Sequence, residues 1–140
     1  MSFHPYVFFS GDCAAAFQRY QQIFGGELQV MTNADLPEGV EGMPGAEPQH
    51  VMHASLTLGE GRLLMGSDDP TGDGGPKTGA AVCYIAPDEQ QAKRVFDGLA
   101  DGGEITMPFA GTFWSRGFGM CTDRYGVPWM VDTVGEPQQG

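Results

Sequence analysis

The sequence predicts an α+β fold made of two copies of a strand–helix–strand–strand–strand module. Three observations point to it. A chain of 140 residues, 41% hydrophobic and 18% charged, has a globular composition. At that length about 70% of the unfolded surface can be buried, enough for a core without disulfide or metal. The two halves of the chain repeat the same order of apolar patterns. GGELQVM at 25–31 is also echoed by GGEITM at 102–107. The repeated order is the weightier signal, because a chain with 22 glycines yields short matches by chance. The whole chain, 1–140, is expected to form a single domain of two modules, 1–70 and 78–134, joined by a Gly/Pro-rich loop.

Each element follows in turn. Residues 4–9 (HPYVFF) are aromatic and β-branched, as a strand requires. Asp12 is placed to cap the helix that follows. Cys13, Ala16, Phe17, Tyr20 and Phe24 recur at three- and four-residue steps and share one face. Gly25-Gly26 stops that helix, because glycine takes the left-handed cap conformation freely. Residues 27–32 return as a strand. Residues 33–49, rich in Pro, Gly and acids, are expected to be irregular: a lid, a binding loop or a disordered excursion. Strands follow at 50–58 and 62–67, then a second Gly/Pro-rich loop at 68–79.

The second half repeats the pattern. A strand at 80–86 leads to a helix capped by Asp88, with Gln91 as its capping-box partner. Ala92, Val95, Phe96 and Leu99 form the buried stripe of that helix. Gly102-Gly103 ends it, and strands follow from 104, at 117–122 and at 127–134.

The formal net charge of −11 and the seven scattered Lys and Arg exclude phosphate-backbone recognition and attraction to an anionic membrane. No nucleic-acid or membrane partner is expected. Three cysteines without a CxxC spacing argue against a disulfide framework and fit the cytoplasm. The N-terminal stretch lacks the basic region and the apolar length of a signal peptide.

The segment 112–132, TFWSRGFGMCTDRYGVPWMVD, closely resembles a signature of PhnB-like proteins, a branch of the vicinal-oxygen-chelate (glyoxalase/bleomycin resistance/dioxygenase) superfamily. PYVFFSGDCAAAFQRYQQIFGGEL and HASLTL…GRLLMGSD resemble the first strand and helix and the middle strands of the same branch. The resemblance implies paired βαβββ modules in a curved mixed sheet around a cup, and a homodimer. Members are often labelled 3-demethylubiquinone methyltransferase-like. This chain, however, shows no Gly-rich fingerprint between a strand and a helix.

The resemblance also directs attention to metal positions. Metal-dependent members hold a divalent ion with His and Glu from the first and last strand of each module. Here the first strand offers His4, Pro5 or Tyr6, and the fourth Met65, Ser67 or Asp68. The fifth offers Val82, Cys83 or Tyr84. The last puts Met130 where a Glu would ligate, with Asp132 two residues on. A full four-ligand set is not visible, so no metal site is assigned, although a divalent metal stays open as a cofactor.

His53 is the main polar candidate, either a hydrogen-bonding or general-base residue or a structural histidine. Strand alternation puts it on a face with Val51, Ser55 and Thr57, and puts Met52, Ala54, Leu56 and Leu58 on the helix side. His50 and His53, three apart on a strand, point oppositely. The aromatic residues Tyr6, Phe8, Phe113, Trp114, Phe118 and Trp129 either line a cavity or pack as core. Arg116 could meet an anionic ligand. Asp68, Asp69 and Asp73 are expected to form a solvated acidic turn. The expected ligand contacts are Tyr6, Phe8, His53, Ser67, Tyr84, Trp114, Arg116, Trp129 and Met130. Three functions fit: a small-molecule binder with an aromatic-lined cup; a metal-dependent lyase, isomerase or oxygenase acting on a small oxygenated substrate, with metal held by a reduced set such as His4 and His53; or a degenerate member kept for dimeric partner contacts.

Overall fold

In the computed structural model, described for residues 2–42, 44–59, 61–72, 75 and 77–134, the chain divides into two compact units, Met1–Gly75 and Pro76–Gly140. The first contains β1 (Tyr6–Phe9), α1 (Cys13–Phe24), β2 (Glu27–Thr32), a 3-10 turn (Asn33–Asp35), β3 (Val51–Gly59) and β4 (Arg62–Asp68). The second contains β5 (Val82–Ala86), α2 (Glu89–Ala100), β6 (Glu104–Ala110), β7 (Phe118–Thr122) and β8 (Pro128–Thr133). Both units are therefore βαβββ modules.

Each unit has one four-stranded mixed sheet, ordered β1-β4-β3-β2 in the first and β5-β8-β7-β6 in the second. The pairs β1–β4 and β5–β8 are parallel, and the other pairs are antiparallel. This order leaves one face of each sheet for its helix and one open.

The helices bury the stripes their periodicity predicts, with one change. In α1 the fifth buried residue is Ile23, not Phe24, which is half-buried. In α2 the stripe is Ala92, Val95, Phe96 and Leu99. The Phe9, Phe17 and Tyr20 rings pack edge-to-face, 6.1 and 5.7 Å apart, between β1 and α1. Close approach of α1 to β4 is possible because Gly66 carries no side chain. A Cβ there would lie 2.7 Å from the Val7 carbonyl oxygen and 2.8 Å from the Phe17 ring.

Three expectations are corrected. Asp12 stands at the N-cap of α1, but its side chain makes no cap bond; its Oδ1 accepts from Ser10 N instead. The carboxylate of Asp68 does the work from the far end of β4. Its Oδ1 accepts from Gly11 N and Cys13 N, and its Oδ2 from Val51 N. Asp68 is thus buried rather than part of a solvated acidic turn, while Asp69 turns outward and accepts from Thr71. Asp73 lies outside the described residues. Finally, the 33–49 loop is not wholly irregular. The 3-10 turn opens it, and the Asn33 N–H and Ala34 N–H donate to the His50 and Pro48 carbonyls, stitching its two ends together.

Asp88 caps α2 as expected, accepting from Gln91 N at 2.8 Å. β8 lies in the middle of its sheet, between β5 and β7.

Candidate functional site

The open face of the first sheet gathers the polar and aromatic candidates. β1 runs beside β4 with Tyr6 opposite Met65 and Phe8 opposite Ser67. Met65 in turn faces Ser55 on β3. Val7, Phe9 and Gly66 alternate onto the α1 side, which leaves the Tyr6 and Phe8 rings exposed at 39% and 57%. The Tyr6 hydroxyl and His53 Nδ1 are joined by a hydrogen bond of 3.3 Å. The Tyr6 ring lies 5.2 Å from Phe8 and 5.8 Å from the His53 imidazole. Such a face offers ring surface for stacking and, at its centre, a pair that can give or take a proton in a hydrogen bond.

His53 shares this face with Ser55 and Thr57, while Ala54 and Leu56 are buried toward α1. Val51 departs from the simple alternation and is buried. The β2–β3 register shifts between Met31 and Thr32, and the bulge turns Val51 inward. His4 precedes β1 and hydrogen-bonds Ser2 Oγ, and His50 precedes β3 and accepts from Glu47 N.

The second sheet places its candidates differently. Cys83 and Ile85 are exposed on its open face, with Met130 and Asp132 as their β8 neighbours. Tyr84 pairs with Val131 and alternates to the α2 side. Trp129 is 2% exposed, and its indole N–H donates to Asp123 Oδ2 at 2.9 Å. Trp114 is exposed between Phe113 and Phe118, in edge-to-face contact with both. Arg116 lines a cleft of about 300 Å³ at the start of α2, beside Asp88 and Glu89. Those acids offset its charge toward an anionic ligand.

The thiols differ in setting. Burial, and then the Asp68 and Asp12 carboxylates, push the Cys13 thiol far up. Burial pushes Cys121 up to about 11, with Asp123 adding to it. Partial burial, and next Asp132, also raise Cys83, which is exposed.

Strand register pairs two of the candidate metal positions named from the resemblance in each unit. In the first unit Tyr6 pairs with Met65, and in the second Cys83 pairs with Met130. These pairs present a phenol, a thiol and two thioethers rather than imidazole and carboxylate. This donor set does not fit a hard divalent ion. Among the described residues, no three His, Cys, Asp or Glu side chains are grouped to hold a metal.

The doubled βαβββ module with open sheet faces defines the class of protein. The chain belongs to the Glyoxalase/Bleomycin resistance protein/Dioxygenase superfamily, whose profile matches residues 2–131. Within it the chain is similar to Protein YjdN of Escherichia coli (strain K12), 30% identical over 142 residues and 96% of each chain. It is similar as well to the crystal structure of PA1353 from Pseudomonas aeruginosa, at 36% identity, TM-score 0.83 and 99% of each chain. A putative 3-demethylubiquinone-9 3-methyltransferase, PhnB protein, from Bacillus cereus superimposes with TM-score 0.73 at 26% identity, covering 96% of this chain and 100% of that one. These relatives agree with the PhnB-like branch.

Sequence reasoning missed the structural roles of two carboxylates, Asp68 and Asp123, and of one hydroxyl, Ser115. Asp68 ties three backbone amides. Asp123 accepts from Tyr125 N, Val127 N and Trp129 Nε1. Ser115, 1% exposed, bonds Asp132 and Thr133 beside the Gly117 backbone. An acid just before a YG turn was a usable signal for Asp123, because Asp favours bonds to the backbone two residues on.

Proposed function

We propose that this chain binds a small, partly aromatic molecule on the open face of its first sheet. Tyr6, Phe8 and His53 are the principal contacts, Ser67 lies beside them, and the face lacks a complete site for a hard divalent ion. The observation that carries the reading is the Tyr6–His53 hydrogen bond set among exposed rings. Small-ligand sites combine apolar surface with a few convergent polar groups in this way. Trp114 and Arg116 are secondary contacts. The reading includes a homodimer, which analytical ultracentrifugation would test, and a cytoplasmic location, which cell fractionation would test.

A fragment library of small aromatic and oxygenated compounds, screened by thermal shift and then by calorimetry, tests the proposal. His53→Ala should fold normally and weaken a confirmed hit at least tenfold. Equal affinity in that variant would remove His53 from the site. Near-stoichiometric nickel, zinc, iron or manganese in untagged protein purified without chelators would instead favour a metal-dependent lyase, isomerase or oxygenase.

A further inference from the structure

We propose that the open face of the second sheet binds a soft monovalent cation, copper(I) or silver(I), through Cys83, Met130 and Met120. The observation is a row of sulfur that crosses all four strands. Cys83 lies opposite Met130, Met130 opposite Met120, and Met120 opposite Met107. Residues directly opposite one another project from the same face; in the antiparallel pairs Met130–Met120 and Met120–Met107 the Cβ atoms stand about 4.5–5.5 Å apart, and Cys83 faces Met130 across the parallel β5–β8 pair. The face is the one turned away from α2. The alternate residues Cys121, Trp129 and Val131 are buried, whereas Cys83 is exposed, Met107 is 41% exposed, and Met120 and Met130 are half-buried.

The chemistry of the row is specific. Thiolate and thioether donors select soft ions such as copper(I) over hard divalent ones. Methionine's flexible stem lets neighbouring sulfurs lean toward a common point. Strands stand about 4.8 Å apart, so one ion above Met130 is reached from either side by Cys83 and Met120. Met107 is one strand further out, flanked by register shifts on β6, and closes the row without being required. On binding, the Cys83 S–H gives its proton to solvent, the copper–thiolate bond forms, and the thioethers donate lone pairs without change of oxidation state. The first sheet does not repeat the row: its counterpart there is Tyr6, Met65, Ser55 and Gln29, with one sulfur. Cys13 and Cys121 are buried and do not compete. The proposal uses the second sheet and does not rest on the small-molecule reading.

The test is anaerobic titration of the reduced full chain against the coloured copper(I)–bicinchoninate complex. The wild-type protein should withdraw one equivalent. Met130→Leu, Met120→Leu and Cys83→Ser should each weaken the transfer at least tenfold, while Met52→Leu, in the other unit, stays within twofold. X-ray absorption on the copper-loaded wild type should show a shell of sulfur alone. Leucine keeps the side-chain volume, so the sheet should fold. If a variant nonetheless melts early, the wild-type absorption spectrum decides. No withdrawal, unchanged affinity in both methionine variants, or a nitrogen and oxygen shell would overturn the proposal.

Discussion

Asp68 is one side chain that holds three parts of the first unit together, and its removal should be costly. The carboxylate sits at the end of β4, 6% exposed. It accepts from Gly11 N at 2.9 Å, Cys13 N at 3.0 Å and Val51 N at 2.8 Å. It thus closes the start of α1 and pins the return of the chain into β3 after the long 33–49 excursion. In Asp68→Ala all three donors lose their acceptor. An unsatisfied buried donor costs about 1–3 kcal/mol, and Gly11, being exposed, can turn to water. The expected loss is therefore about 4 kcal/mol. At about 3–4 °C per kcal/mol for a chain of this size, the melting temperature should fall by roughly 12–16 °C. Asp68→Asn keeps one oxygen and sets an amide donor against the remaining N–H, so it should lose about 1.5–3 kcal/mol. Guanidinium unfolding of the three proteins measures this order directly. An alanine variant within about 1 kcal/mol of wild type would refute the reasoning, because it would mean that the amides find water without strain.

Trp129→Ala should destabilise the chain by about 3–5 kcal/mol, since it empties the middle of the second sheet and leaves Asp123 Oδ2 without its indole donor. A melting temperature within error of wild type would contradict the placement. Ellman's reagent should label a single thiol, Cys83, in the native protein and all three in guanidinium; a second fast-reacting thiol would show that Cys13 or Cys121 is accessible. The buried thiols also set an alkaline limit. The native Cys121 thiol holds its proton up to about 11, whereas the unfolded one ionises from 9.0. Its contribution is intact below about pH 9 and is lost between those values, because the unfolded chain releases its proton first. Urea midpoints measured across that range should fall less steeply in Cys121→Ala.

Much of the fold was legible because its signals are local. The α2 stripe, the Asp88 cap and the glycine pair after each helix need only nearest neighbours. What escaped depended on long-range contacts. Asp68 looks like a member of an acidic turn until β4 is brought beside α1, and Val51 looks like a neighbour of His53 until the β2–β3 bulge turns it inward. The motif at 112–132 teaches a related lesson. It identified the family, yet many of its side chains serve folding. Ser115 bonds the β8 end, Asp123 ties the β7–β8 turn, and Gly126 takes a φ of +83° in that turn. A Cβ on Gly117 would lie 2.5 Å from Phe109, and one on Gly119 would lie 2.8 Å from Phe96. The candidate ligand face lies instead on β1 and β3, where the sequence offered single residues without a pattern. Tyr6 and His53 are 47 positions apart, and only strand pairing through β4 brings them together.

The most direct test of the small-molecule reading is a map of amide and side-chain shifts by two-dimensional NMR, with confirmed aromatic fragments added to isotopically labelled protein. The account predicts saturable shifts centred on Tyr6, Phe8, His53 and Ser67. Saturable shifts confined to other surfaces, or no binding across the library, would contradict it.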